Sequence, residues 1–238
     1  MDAKTPAHSI GGTNVKEDLM GREIDLLVNY PKTKRDPRAR AESKTTEDRA
    51  LARQFGKEFF DGDRRHGYGG YQYHPRFWQP VVPTFQDHFG LTSDSSLLDV
   101  GCGKGFMLHD IAELIPGTTV RGVDVSEYAI ENCIEDMIPF VSVADARALP
   151  FDNDSFDVVI SINTLHNLDR DDCARGLREV ERVTRGSSYV TVDAYRTKDE
   201  RELMEAWNLT ALTVMHVDEW KSFFEEVGYT GDYHWFMP

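Results

Sequence analysis

A chain of 238 residues with 40% hydrophobic content can build one α/β core of ordinary size with an appendage, so a single core is the expectation. Its formal net charge of -14 opposes the phosphate neutralisation on which a general nucleic-acid binder relies, and favours a small-molecule partner. No apolar run approaches the roughly 18 residues of a membrane span, and Cys102, Cys133 and Cys173 lack metal-ligand spacing, as expected of reduced packing thiols in a cytoplasmic protein without a secretory leader.

Residues 1–46 are polar and nearly charge-balanced. Within them VKEDLMGREIDLLVNY sets Leu19, Ile24, Leu26 and Leu27 on one face of an expected helix that Pro31 ends. The KTKRDPRAR that follows reads either as a solvated linker or as an anion-binding run. Leu51, Phe55, Phe59 and Phe60 recur at near-helical spacing and predict a helix over 46–60, broken by FDGD. Next, RRHGYGGYQYHPRFW gathers Tyr68, Tyr71, Tyr73, Phe77 and Trp78 beside Gly67, Gly69 and Gly70. This suits a loop that folds over a ligand, or a clasp that packs the arm on the core. Residues 1–90 are read as arm and lid, and 91–238 as the main domain.

From Ser95 onward apolar runs alternate with helical stretches, with strands expected near 97–100, 119–123, 139–143, 157–162 and 187–193. Strand and helix in repetition imply right-handed crossovers and a parallel sheet covered on both faces. Such sheets bind ligands at the carboxyl ends of their strands, where the strand order reverses. DAYRTKDERELMEAWNLTALT predicts a lid helix over 198–214 beyond the fifth strand.

LLDVGCGKGFML, over 97–108, falls at the end of the first expected strand. A dinucleotide GxGxxG pattern needs glycine at 106, where Phe106 stands. Asp99 close to Gly101, Gly103 and Gly105 disfavours an anionic pyrophosphate and suits a nucleoside carrying an ammonium and a sulfonium.

DVGCGKG resembles the first motif of class I S-adenosylmethionine-dependent methyltransferases of the type 11-like kind, and later segments keep that family's order. The resemblance covers about residues 95–238. It implies a doubly wound, Rossmann-like seven-stranded α/β sheet, mostly parallel with an antiparallel last strand, and S-adenosylmethionine as cofactor. It places Asp99, Gly101, Cys102, Gly103 and Gly105 at the cofactor. Asp124 in VRGVDVS, with Val125 after it, falls where the family holds the ribose hydroxyls. Asp145 and Ala146 in VADARALPF fall near adenine, and Asn163 in FDVVISINTLHNL near the methionine end.

For chemistry, His166 follows the fourth strand and is a candidate base, or else a loop cap. Tyr73 and Tyr195 are further catalytic candidates. Tyr68, Tyr71, Phe77 and Trp78 offer faces to a cation, and Asp193, Trp207 and Asn208 are expected to line an acceptor pocket. The histidines show no ligand-like clustering, so no metal is expected. The reading is methyl transfer to a small polar metabolite by a monomer or homodimer, without nucleic-acid or membrane partners. The alternatives are intramolecular displacement within the cofactor, releasing methylthioadenosine, and a cofactor-binding regulatory subunit.

Overall fold

The computed structural model of the protein describes residues 21–32 and 44–237. Leu19 and residues 33–40 of the basic run lie outside the described residues. Strands form where the apolar runs fall: β1 (Ser96–Val100), β2 (Thr119–Asp124), β3 (Val141–Val143), β4 (Phe156–Ile162) and β5 (Thr184–Tyr195). They lie in the order β3-β2-β1-β4-β5, all parallel. Successive residues face opposite sides, so Leu97, Val158 and Tyr189 enter one core while Leu98, Val159 and Val190 enter the other.

Helices cover both faces. In chain order they are α1 (Thr46–Ala52), α2 (Lys57–Phe60), α3 (Val82–Phe89), α4 (Phe106–Leu114), α5 (Glu127–Glu131), α6 (Arg170–Val183), α7 (Lys198–Trp207) and α8 (Val217–Val227). Phe85 of α3 and Ile111 of α4 fill one core; Leu177 of α6 and Trp220 of α8 fill the other. No helix among the described residues is long and apolar enough to cross a membrane.

Several expectations are corrected. The last strand, β7 (Asp232–Phe236), runs parallel to β5, with Tyr189 opposite Asp232 and Asp193 opposite Phe236. The short β6 (Met215–His216) meets the far end of β5, and α8 returns the chain to the start of the sheet, so the next strand must run upward again. The helix expected over 46–60 is two, because Phe55 takes a left-handed φ of 48° before Gly56. The lid helix stops at Trp207, where the Asn208 backbone turns extended (ψ 141°). A 3₁₀ turn over Glu135–Phe140, with Pro139 inside it, occupies the start of the expected third strand, so β3 begins at Val141.

Residues 21–30 are not the expected helix. Glu23 bridges Tyr233 in parallel: Tyr233 N donates to Arg22 O at 3.0 Å and Ile24 N to Tyr233 O at 2.9 Å. The arm thereby covers the outer edge of β7, and Leu26 is buried in the same core as Phe85.

Candidate cofactor and acceptor site

At the carboxyl end of β1 the chain must turn sharply under the loop that leaves β4. Gly101 has φ 90°, and a Cβ there would sit 2.0 Å from Thr164 Oγ1, so only glycine fits. Gly101 and Cys102 N donate to Val123 O at 2.7 and 3.0 Å. This ties the loop to the end of β2. Asp124, the last residue of β2, accepts from Gly103 N and Ser126 N, each at 2.8 Å. The carboxylate expected at the ribose thus also holds the glycine loop.

Asp99 is buried beneath this loop, and burial together with the Asp124 carboxylate pushes its pKa up to about 8. Burial also raises Asp124 above its usual range, against the two backbone donors. A buried carboxylate beside a half-buried one is matched chemically by a cation. The residues present therefore fit S-adenosylmethionine. A cation that binds Asp99 in its ionised form must displace a proton below about pH 8. Cofactor affinity is expected to rise from pH 6 to pH 8, by up to about tenfold per unit, and then to level off. Asp99→Asn should flatten that profile in a calorimetric titration; an unaltered profile would detach it from Asp99.

The arm sits directly on this loop. The Asp61 carboxylate takes the buried Lys104 ammonium at 2.6 Å, the Tyr128 hydroxyl at 2.7 Å and Tyr71 N at 2.9 Å. The Tyr71 ring lies against Gly103, where a Cβ would meet it at 3.3 Å. Tyr71 also packs on Phe106 (4.9 Å between ring centroids), Tyr68 (4.4 Å) and Phe60 (5.7 Å). Arg49 of α1 donates to the carbonyls of Glu205, Ala206 and Asn208, joining the arm to the C-terminus of α7. Asp61, Lys104 and Tyr128 carried no role in the sequence reading. FDGD looked like a helix breaker, and nothing local links it to GCGKG, 43 residues away.

The other candidates scatter. Phe77 and Trp78 pack on Tyr30, with centroids at 5.5 and 5.0 Å. The Tyr73 hydroxyl donates to Asp110 Oδ1 at 2.6 Å, on α4. Asp145 is bound by the Arg147 guanidinium, which holds its carboxyl below the usual range and also reaches Asp172. Ala146 packs partly buried against the core beside Asp145, and Val125 is exposed just beyond β2. Asn163 takes a left-handed φ of 53°, with its backbone N and side-chain oxygen both tied to Thr191. Tyr195 lies between His216 and the Arg201 guanidinium, and Trp207 packs on Phe236.

His166 lies inside the fold. It is 3% exposed, its Nδ1 accepts from Asp193 N at 3.0 Å, and burial lowers its pKa to about 3. With that lone pair engaged, the neutral imidazole ties the loop after β4 to β5, which favours the loop-cap reading of His166 over the base. Its Nε2 faces Asp193 Oδ1 at 3.6 Å. Asp193, pushed by burial up to about 7, also takes the Asn208 amide, so the three join β5 to the end of α7. His166→Ala is expected to lower stability by about 1–3 kcal/mol, by stranding a buried N–H, and the native rate should show no step near pH 6.5. A folded variant with a thousandfold rate loss at unchanged cofactor affinity would restore the base.

Residues 97–187 match a family model described as a methyltransferase domain. Among curated proteins, an Arabidopsis thaliana tRNA (carboxymethyluridine(34)-5-O)-methyltransferase is 33% identical over 59% of this chain and 33% of its own length. The mitochondrial arginine-hydroxylase NDUFAF5 of Rattus norvegicus is 36% identical over 36% of this chain and 24% of its own. The chain thus spans a third or less of the length of these two relatives. Among solved structures, the MccD protein aligns with a TM-score of 0.51 at 23% identity, over 61% of this chain and 68% of that one, a likeness of fold. With its glycine loop after β1, its acidic residues at the ends of β1 and β2, and that match across the parallel sheet, residues 97–187 are similar to the methyltransferase domain of class I S-adenosylmethionine-dependent enzymes.

Proposed function

We propose that the protein transfers a methyl group from S-adenosylmethionine to a small polar metabolite, in a pocket bounded by the aromatic arm and α7. The observation that carries this reading is the pair of carboxylates, Asp99 buried and Asp124 half-buried, set under a glycine loop against which the Tyr71 ring lies. The bound cofactor supplies an electrophilic methyl on a sulfonium. Asp99 offsets positive charge, and Asp124 accepts hydroxyl donors in addition to holding Gly103. Tyr71 and Phe106 pack at a tilt beside the loop, and ring faces desolvated by a bound cofactor would attract its cation by ~0.5–2 kcal/mol.

Since His166 is engaged, the acceptor is read as arriving already nucleophilic, so the chain positions and desolvates it. Tyr195 stays a candidate for orienting it, whereas the Tyr73 hydroxyl is engaged by Asp110. A net charge of -14 supports a metabolite over an RNA acceptor. Monomer or homodimer is the assembly we favour. Incubation with methyl-labelled cofactor and a metabolite extract tests the reading: label in a small product, with S-adenosylhomocysteine formed, upholds it. Methylthioadenosine as product would mean displacement within the cofactor instead. Label in RNA would replace the acceptor class, and turnover only with a second protein would make the chain a subunit.

A further inference from the structure

One face of α4, a turn beyond the glycine loop, carries His109, Asp110 and Glu113, whose nearest donor atoms all lie within 4.8 Å of one another. Spacing i, i+4 puts His109 and Glu113 side by side, and His109 Nε2 stands 3.8 Å from Glu113 Oε2. Tetrahedral zinc with bonds of about 2.0–2.1 Å holds its donors about 3.3 Å apart. A contraction of half an ångström would therefore close that edge.

Each donor is already oriented by a neighbour. The Asp136 carboxylate meets His109 Nδ1 at 2.6 Å, which holds a proton on that nitrogen and turns the Nε2 lone pair toward Glu113. Gln79 Nε2 donates to Glu113 Oε2 at 3.3 Å. Tyr73 donates to Asp110 Oδ1 at 2.6 Å, leaving Oδ2 buried with no hydrogen-bond partner. Asp110 is 0% exposed. Such a carboxylate oxygen, shut off from water beside an imidazole lone pair and a second carboxylate, is costly without a cation.

We infer that His109, Asp110 and Glu113 form a divalent transition-metal site, with zinc as the fitting ion, and that Asp136 and Tyr73 hold its donors in place. One imidazole nitrogen with two carboxylates suits zinc better than magnesium or calcium, which favour all-oxygen sites. The site is separate from the sulfonium chemistry, and the inference runs against the expectation that the histidines hold no metal. Its consequence is mechanical: Tyr73 and Gln79 come from the arm, so the ion would fasten the arm to α4 beside the glycine loop.

The test uses the full chain, freed of any affinity tag and stripped with chelator, titrated with zinc chloride in a calorimeter and melted with and without zinc. The expected result is one zinc per chain and a higher Tm. Asp110→Asn and Glu113→Gln should each abolish both effects, while Asp136→Asn should weaken zinc by roughly 10–100-fold. In chelator alone, Asp110→Asn should melt at or above the native Tm, because it removes a buried carboxylate one of whose oxygens has no hydrogen-bond partner. A folded native chain that takes up no zinc, or zinc binding unchanged in both ligand variants, would overturn the site. None of these readouts depends on methyl transfer, so the proposed function can fail while this site stands.

Discussion

Asp61→Ala is expected to lower stability by about 3–5 kcal/mol, because it leaves the Lys104 ammonium charged and only 5% exposed with its partner gone. In a chain of this size that is roughly 6–20 °C in Tm. The same carboxylate also holds the Tyr128 hydroxyl and Tyr71 N, so the aromatic arm loses its mooring on the glycine loop. Burial works to raise the Asp61 pKa, and the hydrogen bonds from Lys104, Tyr128 and Tyr71 outweigh it, leaving the group below the usual carboxylate range. The stabilisation is therefore present above the unfolded value near 4 and is lost as pH falls through the lower folded value. Thermal melts of native and variant protein between pH 3 and 7 check this: the curves should converge at the acid end. Hydrogen exchange adds the location, with faster exchange expected around Tyr71 and Gly103 in the variant. Equal melting curves at pH 7 would mean that the arm is held by its rings alone.

Asp124→Ala is expected to weaken S-adenosylhomocysteine by about tenfold to a hundredfold, roughly 1.5–3 kcal/mol. In the free protein it strands Gly103 N and Ser126 N, so the loop between β1 and α4 also loses its shape. In the complex the ribose hydroxyls lose their acceptor as well. Asp124→Asn separates the two effects, since an amide oxygen can hold one backbone N–H but cannot accept from four donors as a carboxylate does. Calorimetry should rank native above Asp124→Asn above Asp124→Ala. Native-like affinity in a folded Asp124→Ala would remove this residue from the site and leave Asp99 as its acidic group.

Much of the sheet was legible because its signals are local. The five apolar runs became β1 to β5 within a few residues of their expected bounds, since a strand buried on both faces needs an unbroken run. The glycine loop and the acids that end β1 and β2 were legible for the same reason. A backbone at φ 90° and a carboxylate at a strand end are demands written within a few residues. The His109, Asp110 and Glu113 trio was also in plain view on one helix turn, and what went unread was its surroundings, Asp136 and Tyr73.

The roles of side chains depended on what packs over them. His166 sits where a base would serve, yet the Asp193 N–H and α7 close over it, and no feature of SINTLHNL announces that burial. Tyr73 and Tyr71 are two residues apart and end against different partners, Asp110 and Gly103. Direction of the last strand, too, was set at a distance, because α8 returns the chain to the foot of β5. The sequence by itself determined the strands, the bare loop and the acids beneath it, because each answers to its immediate neighbours. The tertiary structure alone decided the Asp61 to Lys104 clasp, the buried His166 and the arm on the edge of β7. Each of those joins segments between 27 and 210 residues apart, and such a pairing is fixed by which surfaces remain to be buried once the sheet has formed.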